Sequence, residues 1–596
     1  MFAGVGTRVG GVLGKQFQTF FGGGHVDAAV FAGQRVVHRQ RASLAGFVVD
    51  GGHQFAAGVV QLQRAELADG GELFQVVGKS HVLRVFLFNG KEIAAPNCAR
   101  CTGVVRWCRV FLIQVKGTWA TLRHSQAPCC VAFRRPVLSH VIDDDLLRRF
   151  DVPGPRYTSY PTADRFVEAF GEADYIQALE QRRAGSLALP LSLYIHIPFC
   201  DSLCYYCACN KVITKHHSKA AEYLRYLSHE LDLQVAHLGS GQSVSQLHLG
   251  GGTPTFLSDE ELTDLMAMVR RHFQLVPGGE YSVEVDPRTV TPQRLAHLYQ
   301  LGFNRLSFGV QDFDPTVQKA VHRVQPAEQV FALVQAARDL GFESINVDLI
   351  YGLPQQTPES FAHTLAQVNS LRPDRIALYT YAHLPARFKP QRRIVTAELP
   401  TGADKLSMLT QALDRFNDAG YVYVGMDHFA LPNDALAVAK RQGRLHRNFQ
   451  GYSTQPDCDL LALGVSAIGR VGATYSQNAK TLEEYYDALD QGRLPIVRGL
   501  AINRDDVLRR SVIMAIMCQG EVNFESIELA HLIDFKSYFA RELEQLQPMQ
   551  EWGLVRCHPD SIEVTASGWY VVRAIAMVFD RYLQAAQDRA RFSKII

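Results

Sequence analysis

Four cysteines, Cys200, Cys204, Cys207 and Cys209, fall within the stretch Tyr194-Ile-His-Ile-Pro-Phe-Cys-Asp-Ser-Leu-Cys-Tyr-Tyr-Cys-Ala-Cys209. Their spacing decides what they can do. Three thiolates in a Cys-x3-Cys-x2-Cys run can wrap one face of a cubane iron–sulfur cluster. One iron is then left without a protein ligand and open to a small molecule. Zinc usually takes four ligands in two separated pairs. No second pair follows here, because Cys458, Cys518 and Cys557 are isolated. Buried thiols or a partial zinc knuckle are the plainer readings, but four cysteines this close in so long a chain are rarely packing alone.

An open cluster iron sets requirements for its surroundings. S-Adenosylmethionine brings an amino and a carboxylate group that can chelate the iron, a sulfonium charge and a ribose diol. Glu284 and Asp348 are suited to accept hydrogen bonds from ribose hydroxyls or the amino group, and Gln311 and Arg323 could hold a carboxylate. Each of these, taken singly, is equally well read as a polar residue closing a strand. Gly250-Gly-Gly-Thr-Pro-Thr255 lets backbone amides approach a ligand closely, and no Gly-Lys-Ser/Thr follows to make it a phosphate loop. Tyr194 and His196 read by default as a core tyrosine and a satisfied core histidine. Tyr206, between two of the cysteines, would lie beside the cofactor.

These residues need a scaffold that brings them to one edge. From Leu191 to about residue 385 a strand-then-helix rhythm recurs. The strands are expected at Leu191–Ile197, Ser245–Leu249, Tyr281–Val285, Arg305–Gly309, Ile345–Ile350 and Arg375–Tyr381. Helices are expected at Lys219–His237, Asp259–Phe273, Pro292–Leu301, Ala327–Leu340 and Pro358–Leu371. The alternation predicts an α/β fold, a parallel sheet with helices on one side, either an open curved sheet or a partial (β/α)6 TIM-like barrel. Ligands gather at the C-terminal ends of such strands. The cysteine loop, the glycine triplet, Glu284, Gln311 and Asp348 all fall there.

Around this catalytic segment, residues 191–385, the chain divides further. Residues 386–596 read as a smaller, mainly helical domain of bundle or winged-helix type covering the active site. Residues 137–190 carry Pro153-Gly-Pro-Arg-Tyr-Thr-Ser-Tyr-Pro-Thr162, an extended strap that cannot be helical. Residues 1–136 show recurrent Gly-Gly pairs and no sustained period of 2 or 3.6. They read as a low-order, disordered extension and a candidate upstream-start artefact. Cys98, Cys101, Cys108, Cys129 and Cys130 in it complete no familiar metal spacing, and the arginine-bearing first forty residues only faintly resemble an organellar presequence.

Charge and composition exclude several classes. Residues 1–136 hold 16 Lys+Arg against 6 Asp+Glu, and the remainder holds 45 against 53. A mildly acidic body gives no reason to expect nucleic acid. No apolar stretch reaches membrane-spanning length, since Val104–Val115 is broken by Arg106 and Arg109. Twelve cysteines in this pattern do not form a secreted disulfide framework. A reducing cytoplasm follows.

The cysteine loop, the Gly-Gly-Thr-Pro turn and the strand-end polar residues resemble the radical S-adenosylmethionine enzymes. Further stretches resemble their oxygen-independent coproporphyrinogen III oxidase (dehydrogenase) family, from about Asp143 to Ile596. They include Pro155-Arg-Tyr-Thr-Ser-Tyr-Pro-Thr162, Glu284-Val-Asp-Pro-Arg288, Gly309-Val-Gln-Asp-Phe313, Asp348-Leu-Ile-Tyr-Gly-Leu-Pro354, Tyr381-Ala-His-Leu-Pro385, Gly425-Met-Asp-His-Phe429 and His446-Arg-Asn-Phe-Gln-Gly-Tyr452.

The resemblance implies a 4Fe–4S cluster on Cys200, Cys204 and Cys207, with Cys209 an extra, non-ligand cysteine that acts in catalysis together with Tyr194. It implies two S-adenosylmethionine molecules. One would meet Tyr194, Gly251, Glu284 and Ile468. The other would meet Tyr206, Gly252, Thr253, Gln311, Arg323, Asp348 and Ala382. Family members often carry Phe where this chain has Tyr206.

The implied reaction converts two propionates of coproporphyrinogen III to vinyl groups through a 5′-deoxyadenosyl radical, giving protoporphyrinogen IX in porphyrin and haem biosynthesis. The implied electron donor is a reduced flavodoxin- or ferredoxin-type protein, and the implied state is a monomer. A tetra-anionic substrate needs cationic anchors, for which Arg387, Lys389, Arg392, Arg393 or Arg447 could serve. Two rivals share the superfamily: a haem chaperone and an anaerobic haem-degrading radical methyltransferase. The chaperones typically lack the fourth cysteine and carry His-Asn-x-x-Tyr-Trp, where this chain keeps Cys209 and reads His446-Arg-Asn-Phe-Gln.

Overall fold

The computed structural model describes residues 149–150, 152–185, 189–455, 457–583 and 592, together with strand segments between Gln40 and Leu122. By contacts the chain forms two compact units, Met1–Leu138 and Ser139–Ile596. In the first, strands Gln40–Leu44, Gly58–Glu66, Gly71–Val77, Val82–Phe88, Phe111–Val115 and Thr118–Leu122 form an antiparallel sheet. The expectation of low order over residues 1–136, and the cysteines from Cys98 to Cys130, otherwise fall outside the described residues.

The second unit is built on β1 (Leu191–Ile197), β2 (Gln242–Gly251), β3 (Phe273–Val285), β4 (Arg305–Gln311), β5 (Ser344–Tyr351) and β6 (Arg375–Thr380). They pair in chain order and all in parallel. The crossovers are α1 (Ser218–Leu238), α2 (Asp259–His272), α3 (Pro292–Gln300), α4 (Ala327–Leu340) and α5 (Pro358–Leu371). This is the α/β fold expected from the strand–helix rhythm.

Local chemistry sets the helix ends. Ser258 caps α2 by accepting from Glu261 N at 3.2 Å, while Glu261 reaches back to Ser258 N. Thr357 caps α5 ahead of Pro358 at its first turn. Along the strands, alternate residues divide between two faces. Leu193, Leu247, Val283, Leu306, Val347 and Leu378 are buried and belong to one large apolar core. Tyr194, His248, Glu284, Ser307 and Asp348 take the other face and are only half-buried.

The sheet does not stop at β6. Strands His428–Ala430 and Val422–Gly425 extend it beyond β6, and Leu460–Leu463 pairs in parallel with β1. Ile468–Val471, Thr474–Asn478 and Ile496–Ala501 then continue it antiparallel, giving twelve strands. Among the residues from 386 to about 503 these strands alternate with helices Gly402–Asp418, Ala435–Arg441 and Leu482–Asp490, and from Arg504 helix predominates. From there the order is helix Arg504–Cys518, strand Glu521–Asn523, helix Phe524–His531, helix Ala540–Glu551, then strands Val555–Cys557 and Ser561–Val564. A short helix, Phe535–Tyr538, sits between the latter two helices. Among the described residues of the stretch from Gly568 to Ala590, α-helix runs over Val572–Met577. Its sequence reads as one run, but a 3-10 turn at Gly568–Val571 precedes it, and residues 584–591 lie outside the described ones.

The strap packs as its composition requires. Tyr157 and Tyr160 are fully buried, and Tyr157 Oη donates to Asp580 Oδ2 at 2.9 Å. Arg573 donates to the carbonyls of Gly154 and Pro155. Among the described residues no helix is long and apolar enough to cross a membrane.

Candidate active site

Strand β1 runs straight into the cysteine loop. Phe199–Cys200 pairs in parallel with Val212–Ile213, which ties the two ends of the loop together. Cys204 is buried, Cys200 and Cys207 are half-buried, and Cys209 is exposed. Thr253 Oγ1 donates to Cys200 Sγ at 3.3 Å. Two guanidiniums approach Cys204 Sγ, Arg323 Nη1 at 3.5 Å and Arg288 Nη2 at 3.6 Å. Lys211 Nζ donates to the carbonyls of Cys207 and Cys209, at 3.3 and 3.2 Å. A hydrogen bond from Cys209 draws the Cys207 thiol down to about 6, whereas burial pushes Cys200 up to about 12.

The three thiols line a cavity of about 290 Å³ at the C-terminal edge of the parallel strands. Cys209, Tyr206, Gly251, Gly252, Thr253, Glu284, Gln311, Arg323 and Asp348 share its wall. Among the described residues no three cysteine, histidine or acid side chains converge as ligands of a single ion. A cubane asks for a different arrangement, three thiolates spread around a volume, each taking its own iron. The cavity offers that arrangement. It also holds two buried polar atoms without hydrogen-bond partners, Gln311 Oε1 and Arg323 Nε, an acceptor and a donor placed for a polar ligand. The donor set and these two atoms fit a cluster carrying a small zwitterionic cofactor.

Close backbone approach explains the glycines. A Cβ on Gly251, whose φ is +116°, would stand 2.7 Å from His196 Cε1, and one on Gly252 would stand 2.7 Å from the Pro198 carbonyl carbon. Gly251 N instead donates to Glu284 Oε2 at 3.2 Å, and His248 Nε2 lies 3.3 Å from Glu284 Oε1. Tyr194 stacks on His248 with centroids 6.0 Å apart, and its hydroxyl meets His196 Nδ1 at 3.0 Å. His196 Nε2 lies 3.0 Å from the Asn210 carbonyl, so it carries the proton and Nδ1 accepts from the tyrosine. Burial lowers the His196 pKa and keeps the ring neutral. Asp348 accepts from Ser307 Oγ at 3.0 Å and Asn346 Nδ2 at 2.9 Å, and burial raises its carboxyl to about 6.

Several residues that shape the site carry no assignment from sequence reasoning. Asp286 accepts from Arg288 Nη2 at 2.7 Å and from Arg323 Nη1 at 3.1 Å. Burial alone would raise its carboxyl, but the two guanidiniums hold it below the usual range. Asp286 and Arg288 stand in the quoted run Glu284-Val-Asp-Pro-Arg288, which is the signal that could have found them. Gln391, only 2% exposed, donates through Nε2 to the carbonyls of Tyr206 at 3.1 Å and Ala382 at 3.2 Å. Nothing in its neighbourhood marks it. Tyr379, on β6, also lines the cavity.

Not every candidate reaches that wall. Tyr194 stands one layer behind it, through His248 and Glu284. Ala382 meets it through the Gln391 tie. Ile468 sits on the strand paired with Thr474–Asn478 and is absent from the lining.

Comparison with known proteins fits this arrangement. Residues 194–368 match the radical SAM superfamily model, and residues 502–571 match the HemN C-terminal domain. The chain is 52% identical over 457 residues to the oxygen-independent coproporphyrinogen III oxidase of Pseudomonas aeruginosa, covering 76% of this chain and 98% of that one. It is 48% identical over 451 residues to the Escherichia coli oxidase of the same name, covering 76% of this chain and 98% of the relative. The solved structure of coproporphyrinogen III oxidase from Escherichia coli, described as a radical SAM enzyme, superposes with a TM-score of 0.70 at 48% identity. That superposition covers 74% of this chain and 99% of that one.

Proposed function

Since the chain belongs to the oxygen-independent coproporphyrinogen III oxidases of the radical S-adenosylmethionine superfamily, we propose how its own side chains share the work of that reaction. The protein is an oxidoreductase of porphyrin and haem biosynthesis. It oxidatively decarboxylates propionate side chains of coproporphyrinogen III to vinyl groups, giving protoporphyrinogen IX. It uses a 4Fe–4S cluster and S-adenosylmethionine, which together supply one-electron cleavage of a sulfonium and a carbon radical able to take hydrogen from a propionate. Haem delivery and haem ring opening are not favoured.

Cys200, Cys204 and Cys207 are the residues that would hold the cluster. Thr253, Arg288 and Arg323 donate toward their sulfurs and spread the added negative charge. One S-adenosylmethionine would rest against Tyr194, Gly251, Glu284 and Ile468. The second would meet Tyr206, Gly252, Thr253, Gln311, Arg323, Asp348 and Ala382. The unpartnered Arg323 Nε suits a carboxylate and the unpartnered Gln311 Oε1 an ammonium group. Glu284 and Asp348 accept from hydroxyl or amino donors. Cys209 lies beside the ligand set, where its thiol can serve as a hydrogen or proton source during catalysis. The cysteine loop and the loops after β2, β3 and β4 wall the cavity and would keep water from it.

An iron–sulfur cluster and free thiols accord with a reducing cytoplasm, and the protein is read as a monomer. A reduced flavodoxin- or ferredoxin-type protein would deliver the electron.

The observation that carries this reading is the single cavity shared by three thiols, two strand-end carboxylates and two orphaned polar atoms. Its test is anaerobic reconstitution with iron and sulfide, followed by dithionite, S-adenosylmethionine and coproporphyrinogen III. The expected products are 5′-deoxyadenosine, carbon dioxide and a divinyl porphyrinogen. Haem transfer without turnover, or ring opening, would overturn the reading.

A further inference from the structure

A second, larger cavity of about 620 Å³ lies between the strap and the loop that follows β6. Arg156, Thr158 and Ser159 line it from the strap, and Leu384 and Arg387 from the loop. Its carboxylate, Asp164, is already engaged by Thr162 Oγ1 at 2.5 Å and by Arg165 Nε at 3.3 Å. Among the described residues neither Arg156 nor Arg387 forms an ion pair. The guanidinium of Arg156 instead lies 5.4 Å from the ring centroid of Tyr379, and Tyr379 lines the thiol cavity with Glu284 and Asp348. Arg156 therefore stands between the two spaces.

The ground behind Arg156 is cationic and stiff. Arg447 is 5% exposed, donates through Nε to the Arg156 carbonyl at 3.4 Å, and keeps a buried Nη1 with no hydrogen-bond partner. Arg573 fixes the two strap carbonyls immediately before that point, at Gly154 and Pro155. Burial raises the Asp427 carboxyl, and the charges of Arg156, Arg573 and Arg447 oppose that rise. Arg156, with no ion pair among the described residues, and Arg447, with its unpartnered Nη1, leave positive charge that a bound anion can neutralise. A guanidinium on a strap already pinned by buried tyrosines gives up little freedom on binding.

We infer that this cavity receives the carboxylate-bearing edge of the tetrapyrrole, with Arg156 as the principal anchor, Arg387 at the mouth and Arg447 as a reserve of charge behind. The inference rests on the substrate reading above and assigns what that reading leaves open, where the propionates that do not react are held. It separates Arg156, Arg387 and Arg447 from the other cations of this region. Arg392 donates to the Pro385 carbonyl and Arg393 lies over Tyr205.

The test uses the reconstituted protein and two fluorescent probes, coproporphyrin III and its tetramethyl ester, with Arg156→Gln and Arg387→Gln compared against the unaltered chain. The acid should bind Arg156→Gln at least about tenfold more weakly, a loss near 1.4 kcal/mol, while the ester binds both alike. With coproporphyrinogen III, KM should rise more than kcat falls, and Arg156→Lys should recover part of the loss. Cluster absorbance reports that each variant is folded. If Arg156→Gln does not fold, Arg387→Gln carries the same acid-against-ester comparison. Equal binding of the acid to variant and parent, or an equal loss for acid and ester, overturns the inference. A parent protein that makes no divinyl product fails the functional reading instead.

Discussion

Arg323 Nη1 lies 3.5 Å from Cys204 Sγ and 3.1 Å from Asp286 Oδ2, so one buried guanidinium couples a thiol proposed to hold the cluster to a carboxylate two residues beyond β3's Glu284. Arg288 repeats the arrangement, its Nη2 2.7 Å from the same carboxylate oxygen and 3.6 Å from the same sulfur. Hydrogen bonds and positive charge near a cluster sulfur favour the reduced, more negative state. Replacing Arg288 by Gln should therefore make the cluster potential more negative, by about 60 mV for each 1.4 kcal/mol of differential stabilisation lost. Potentiometric titration followed by electron paramagnetic resonance reads this directly. An unchanged or raised potential would show that Arg288 only buttresses Asp286.

Cys204 and Cys209 should separate cleanly. Cys204 is buried under two guanidiniums, whereas Cys209 is exposed at the end of the loop. Cys204→Ser should abolish the visible cluster absorbance and all turnover. Cys209→Ser should keep the absorbance and lose product. A full cubane in Cys204→Ser would mean a different ligand set, and a normal rate in Cys209→Ser would remove that thiol from catalysis.

Burial raises the Asp348 carboxyl to about 6, above its ordinary range. The ion is the form that accepts hydrogen bonds from a ribose diol, and it is lost as pH falls through 6. The KM for S-adenosylmethionine should accordingly climb on the acid side of pH 6. Asp348→Asn should raise KM at neutral pH and flatten that limb. A variant retaining the same acid limb would assign the titration to another group.

Asp312 positions its neighbour Gln311, whose backbone is held at φ +68°. Only 1% exposed, it accepts from Thr364 Oγ1 at 2.7 Å, Gln356 Nε2 at 2.5 Å and Asp314 N at 2.6 Å. Asp312→Ala orphans three donors and should cost about 3 kcal/mol of stability, lowering the midpoint of chemical denaturation. It should also weaken S-adenosylmethionine binding. A midpoint equal to that of the parent would show the network to be dispensable.

Much of this site could be read from the chain because it is local. Each strand-end residue follows its own apolar run, so Glu284, Gln311 and Asp348 could be placed on one edge from pattern alone. The parts that could not be read depend on long-range pairing. Gln391 joins Tyr206 to Ala382 across 185 residues of sequence, and no spacing announces that tie. The strands between Val422 and Ala501 are three to six residues long, too short for an alternation of period 2 to stand out. They are fixed instead by the exposed edges of β1 and β6.

The central claim is a cubane held by Cys200, Cys204 and Cys207 with one iron left for S-adenosylmethionine. Mössbauer spectroscopy of protein reconstituted with iron-57, before and after adding S-adenosylmethionine, tests it most directly. The account predicts a 4Fe–4S signature in which one iron alone changes its isomer shift when the cofactor binds. Four irons that stay equivalent, or a site that takes up zinc and no cluster, would contradict it.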